Sequence, residues 1–172
     1  MYKTLIATDT LHGHIHDADW CIVDARFSLA DTTLGMQDYQ TAHIPGAHYA
    51  HLDKDLSGPI IPGKTGRHPL PAVEAAARTF SEWGIDHNVQ VVVYDSVSGS
   101  VAARLWWMLK WLGHDAVAVL DGGWPAWQAA GLPVTQDLPS GSSRAFTADV
   151  RAQLLTDVAQ VDRYRNDPAY RV

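Results

Sequence analysis

A single cysteine, Cys21, stands among 172 residues. No internal disulfide framework can be built from it, and a lone thiol suits a reducing compartment. Basic residues are in short supply too: 13 Lys and Arg against 19 Asp and Glu give a formal net charge of −6. The positive side chains are scattered, so the electrostatic footprint of a nucleic-acid or acidic-membrane binder is missing. Residues 1–10 contain Asp9 and no long apolar run, and read as neither a signal peptide nor a membrane span. The expected location is the cytoplasm. Metal-ligand patterning is also lacking. His12 and His16 are four apart on a short helix, but without a Glu in a His-Glu-x-x-His pattern or a third ligand they read as a solvated face. No metal or cofactor is expected.

What is present is apolar: 47% of the chain, enough for the core of one domain with an appendage. The chain is organised around residues 91–107, Val-Val-Val-Tyr-Asp-Ser-Val-Ser-Gly-Ser-Val-Ala-Ala-Arg-Leu-Trp-Trp. β-Branched residues and an aromatic predict a buried strand, Ser and Gly turn the chain, and an apolar helix departs at once. In an open parallel sheet such a junction lies at the carboxyl end of a strand, where ligands bind. Its amides and the helix dipole favour an anion. The anion-cradle loop is thus Asp95, Ser96, Val97, Ser98, Gly99 and Ser100, and its first position holds a carboxylate.

Other elements follow in order. Leu5 and Ile6 begin the fold, Thr8 or Asp9 caps a short helix running toward Asp17, and Cys21-Ile22-Val23 forms a core strand ending in Asp24-Ala25-Arg26. Cys21, inside an apolar run, reads as a small inert hydrophobe. Asp24 and Arg26 are candidates for an ion pair that pins the next loop. One helical turn is expected over 38–42, and the turn His43-Ile44-Pro45-Gly46-Ala47 leads into an edge strand over 47–52. Residues 58–65 match the Gly-x4-Gly-Lys-Thr phosphate-loop pattern, but Pro59, Pro62, Gly66 and Pro69 deny them a helix to open, so they read as a surface loop. A helix through Val73, Ala76, Phe80 and Trp83 precedes the central strand at 90–94.

The helix over 100–112 is apolar on nearly every side, leaving Trp106, Trp107 and Trp111 either covered by other helices or facing a partner domain. A strand over 116–120 and a short helix bearing Trp124 and Trp127 complete the pattern. Alternating strands and helices predict an α/β fold, a parallel sheet with helices on both faces. The expected organisation is a domain over 1–133, a linker over 134–150, and over 151–172 the start of a second copy. That tail repeats the opening plan of Thr-Asp, helix and strand, with its strand beginning at Tyr170.

The chain resembles the N-terminal half of a two-domain rhodanese, the thiosulfate or 3-mercaptopyruvate sulfurtransferase family. The motifs that carry this are Ile22-Val23-Asp24-Ala25-Arg26, His43-Ile44-Pro45-Gly46-Ala47, Gly66-Arg67-His68-Pro69-Leu70-Pro71, Ala102-Ala103-Arg104-Leu105-Trp106-Trp107 and Val119-Leu120-Asp121-Gly122-Gly123-Trp124. The resemblance implies a five-stranded parallel sheet. It also implies that the active domain carries a cysteine at the first loop position, which takes sulfane sulfur from thiosulfate or mercaptopyruvate as a persulfide and passes it to a thiophilic acceptor such as cyanide. Asp95 cannot form a persulfide, so no catalytic residue is expected in this chain, and its implied partners are a C-terminal catalytic domain of the same polypeptide and a small sulfur-containing anion. Trp106, Trp107 and Trp111 are then the candidate domain interface. Competing readings are a free-standing inactive module that binds a partner protein or small anion, and a hydrolase using Ser96, Ser98 or Ser100. The last lacks the Gly-x-Ser-x-Gly elbow.

Overall fold

A computed structural model describes residues 1–170. The strands are β1 (Leu5–Ile6), β2 (Trp20–Asp24), β3 (His48–Tyr49), β4 (Gln90–Tyr94) and β5 (Val117–Leu120). They form one five-stranded sheet in the order β1-β5-β4-β2-β3, every neighbour parallel. The helices are α1 (Thr8–His12), α2 (Leu34–Thr41), α3 (Val73–Glu82), α4 (Ala102–Trp111), α5 (Gly123–Ala129) and α6 (Val158–Tyr164). Alternation along β4 separates two cores. Val91 and Val93 face one with Phe80, Leu105 and Met108 of α3 and α4, whereas Val92 and Tyr94 face the other with Leu11 of α1 and Trp127 of α5. Being covered on both faces, β4 reads as a continuous apolar run.

Several boundaries differ from expectation. α1 starts after Ala7 with no side-chain cap and ends at His12 instead of running toward Asp17. β3 pairs only at two residues, because the chain turns away after Tyr49. α2 starts four residues earlier than expected, at Leu34. The reason is Gly35: a Cβ there would lie 2.0 Å from the Arg26 carbonyl, so this glycine permits close packing of the helix rather than ending it. Residues 58–65 form a loop, and the next helix after them begins only at Val73.

Residues 134–150, expected as a linker, run as a strap along the first unit. Thr135 pairs with His43 in an antiparallel bridge. The Arg144 amide donates to the Ser81 carbonyl (3.0 Å), Phe146 meets Phe80 edge-on with centroids 5.2 Å apart, and the Asp149 amide donates to the Leu112 carbonyl (2.9 Å). Just past it, Arg151 grips Asp115 through both terminal nitrogens, at 2.7 and 2.9 Å. Beyond the strap the chain stands clear. Asp157 and Gln160 form a capping box at the start of α6, and Val158 is 86% exposed. The strand expected from Tyr170 onward falls chiefly on Arg171 and Val172, outside the described residues.

Candidate functional site

Asp95 follows β4 directly and is 1% exposed. Its Oδ1 accepts the amides of Val97 (2.9 Å) and Gly99 (2.8 Å), and its Oδ2 those of Val101 (2.8 Å) and Ala102 (2.9 Å). Val101, the residue before α4, offers no side-chain cap of its own. Asp95 therefore caps α4 from across the loop, taking the amides of Val101 and Ala102, while those of Ala103 and Arg104 go to the Gly99 and Val101 carbonyls. Left-handed backbone at Ser98 (φ 61°) and Gly99 (φ 82°) curls the loop around the carboxylate. Ser96, Val97, Ser98 and Ser100 are exposed on its rim. A second contact fixes the loop from behind: the Trp124 amide donates to the Asp95 carbonyl (2.9 Å), and a Cβ on Gly123 would lie 2.3 Å from that oxygen.

At the end of β2, Asp24 and Arg26 are paired. Asp24 accepts from Arg26 Nε and Nη2, from the Arg26 amide, and from the Tyr94 hydroxyl (2.7 Å). Arg26 Nη2 also donates to the Ala42 carbonyl (2.7 Å), and its guanidinium lies 4.3 Å from the Trp124 ring centroid. Burial pushes the Asp24 carboxyl up, against the pull of Arg26 and Tyr94. With this many donors on one carboxylate, the pair stands charged and anchors the loop after β2.

Between that loop and the Asp95 loop lies a cleft of about 560 Å³, lined by Arg26, Phe27, Leu29, Leu34, Val97 and Val101 among others. Leu29 and Leu34 are exposed on its edge. Among the described residues, no histidine lines this cleft or the two smaller cavities beside the loop, and the only carboxylates that share them with the loop serines are those of Asp38 and Asp121. Cys21 pairs with Val91 at the far end of β4, roughly 13 Å of strand from the loop. It is 5% exposed, points at the Trp83 carbonyl (3.4 Å), and burial pushes its thiol up to about 12. It is inert there.

On α4, Trp111 is buried and stacked on Trp107 with centroids 5.7 Å apart, while Trp106 and Trp107 are half-buried. Trp106 Nε1 donates to the Lys3 carbonyl (3.0 Å). The helix therefore covers part of its own tryptophan face. One pair escaped the sequence reading. His68 Nε2 lies 2.9 Å from Asp53 Oδ1, and Phe27 meets both the His51 and His68 rings edge-on, at 5.3 and 6.5 Å. The Asp53 carboxylate fixes the orientation of the His68 ring. The signal was the run Gly66-Arg67-His68-Pro69, but the partner is 15 residues away across an irregular loop.

A family model described as a rhodanese-like domain matches residues 7–130. A probable 3-mercaptopyruvate sulfurtransferase of Pseudomonas aeruginosa is 42% identical over 165 residues, 95% of this chain and 58% of that protein. Thiosulfate/3-mercaptopyruvate sulfurtransferase 2 of Arabidopsis thaliana is 46% identical over 152 residues, 87% of this chain and 43% of that protein. The chain spans about half the length of these curated relatives. Among solved structures, SseA from Escherichia coli, a 3-mercaptopyruvate sulfotransferase, superposes with a TM-score of 0.84 at 27% identity, covering 96% of this chain and 63% of that one.

Proposed function

The chain belongs to the rhodanese-like domain family, and from that premise we propose that it is the non-catalytic N-terminal part of a sulfurtransferase. The sulfur it helps to move is sulfane sulfur from thiosulfate or 3-mercaptopyruvate, passed to cyanide or a thiol through a persulfide on a cysteine outside residues 1–172. The observation that carries this reading is Asp95. Its carboxylate fills a four-amide cradle that a thiolate nucleophile would need, and a carboxylate forms no persulfide.

Residues 151–172 begin the second, catalytic copy, and the loop with Trp106 and Trp107 belongs to the face on which that copy packs. The inert, buried Cys21 fits a cytoplasmic protein, and no helix among the described residues is long and apolar enough to cross a membrane.

Two measurements test the reading. The 172-residue chain, given thiosulfate or 3-mercaptopyruvate with cyanide, is expected to form no thiocyanate above the buffer rate. In the source cells, an antibody to the chain is expected to detect a species near ~30 kDa, the mass of two such domains. Turnover by the chain alone, or a native species no heavier than 18.9 kDa, overturns the proposal.

A further inference from the structure

His43 is fully buried, and both of its ring nitrogens face carbonyl oxygens. Nδ1 lies 2.7 Å from the Tyr39 carbonyl of α2, and Nε2 lies 3.0 Å from the Asp137 carbonyl of the strap. A carbonyl oxygen only accepts, and a neutral imidazole carries a single N–H. In either neutral tautomer one contact sets a lone pair against a lone pair inside the protein, where a lost hydrogen bond costs most. The ring lies flat against Tyr39, centroids 3.9 Å apart and planes 12° from parallel, which fixes its plane.

We propose that His43 holds a proton on each ring nitrogen and uses both to buckle residues 134–137 onto α2, so that loss of one proton to water unfastens that end of the strap.

The rest of the buckle is backbone. The His43 amide donates to the Thr135 carbonyl (3.0 Å), the Thr135 amide returns a bond to the His43 carbonyl (2.9 Å), and Gln136 Nε2 donates to the Thr41 carbonyl (3.0 Å). The charged and titratable groups around the ring come from each neighbouring element. α2 supplies the stacked Tyr39 and, one residue before it, the exposed Asp38. The loop after β2 supplies Arg26, bonded to the Ala42 carbonyl and already neutralised by Asp24. β4 supplies Tyr94, whose hydroxyl accepts the Ile44 amide (3.2 Å). The strap supplies Asp137, whose carbonyl is the second partner and whose side chain is exposed. The opposite end is closed by the Arg151–Asp115 pair and serves as the comparison; a histidine beside it, His114, has its ring 6.1 Å from that of Phe146 in the strap, and burial holds it below the ordinary imidazole value.

The test follows the histidine ring nitrogens by NMR from about pH 5 to about pH 10, with hydrogen exchange of the Thr135, Asp149 and Arg151 amides over the same range. The expected result has two parts. The His43 ring carries two N–H groups at the acid end, and when one leaves, protection of Thr135 falls roughly tenfold relative to Asp149 and Arg151. His43→Gln, which has no ring proton to lose, is expected to abolish the step. A single ring N–H at every pH overturns the proposal, as does a Thr135 protection that stays level while the proton leaves or falls equally at both ends. If His43→Gln fails to fold, the ring spectrum of the unaltered chain decides alone.

Discussion

Two of the arginine–aspartate pairs in this chain, one at the end of β2 and one just past the strap, are built on opposite terms. Arg26 and Asp24 lie inside, 4% and 0% exposed, with Tyr94 and Trp124 closing around them. Arg151 and Asp115 lie near the surface, 29% and 45% exposed, with Lys110 also near the carboxylate at 3.7 Å. Burial raises Asp24. Asp115, by contrast, is held down to about 2, first by the Arg151 hydrogen bond and then by the charges of Arg151 and Lys110. The short distances are alike, but their worth is not. An inner pair contributes little beyond an apolar equivalent yet is costly to break, because either partner left alone is a stranded charge; an outer pair can be lost to water.

Substitutions sharpen that contrast. Asp24→Ala strands the Arg26 guanidinium and the Tyr94 hydroxyl, and we expect a loss of about 3–5 kcal/mol in urea denaturation. Asp95→Ala frees two loop amides and two at the head of α4; the loop rim is open to water, so the expected cost is about 2 kcal/mol, the upper end for a helix cap. Asp95→Asn, which keeps one accepting oxygen, should cost less than that. Asp115→Asn is expected to cost under about 1 kcal/mol by the same measurement. A loss of similar size for Asp24→Ala and Asp115→Asn would erase the distinction.

Acid gives the smallest and most local effect. Asp115 titrates lower when folded than when unfolded, so its contribution is complete above its ordinary value of 3.8 and is lost as pH falls through about 2. Amide protection at Asp149 and Arg151 should therefore fall first in that window. Asp24 is shifted the other way and loses no stabilisation there, so the amides of Ala25 and Arg26 should hold. Simultaneous loss at both places would show that the two pairs are not independent.

How much could be read beforehand follows from the range of each interaction. β4 was legible because its five residues are all buried, and a buried strand writes itself as Val-Val-Val-Tyr. The Asp95 loop is legible because the amide donors and their carboxylate acceptor lie within seven residues of each other. α2 extends four residues further towards the N-terminus than the expected turn over 38–42, and its first turn carries Gly35, whose packing against the distant Arg26 carbonyl leaves no local mark in the sequence. The strap reads as a linker because its composition is polar, while its partners, Ser81, Leu112 and His43, lie far away in sequence. Asp53 and His68 escaped for the same reason: nothing local ties an aspartate in one irregular stretch to a histidine in another.

The Asp95 loop carries its own counter-ion, and this sets how the protein meets its surroundings. An empty ring of amides scavenges sulfate, phosphate or chloride from the buffer and stiffens as it fills. This ring is already filled by a group covalently attached to it. Its shape is thus decoupled from the salts dissolved around it, and a thermal-shift series comparing sulfate with a poorly coordinating anion at equal ionic strength should reveal only the general salting effect, with no saturable step.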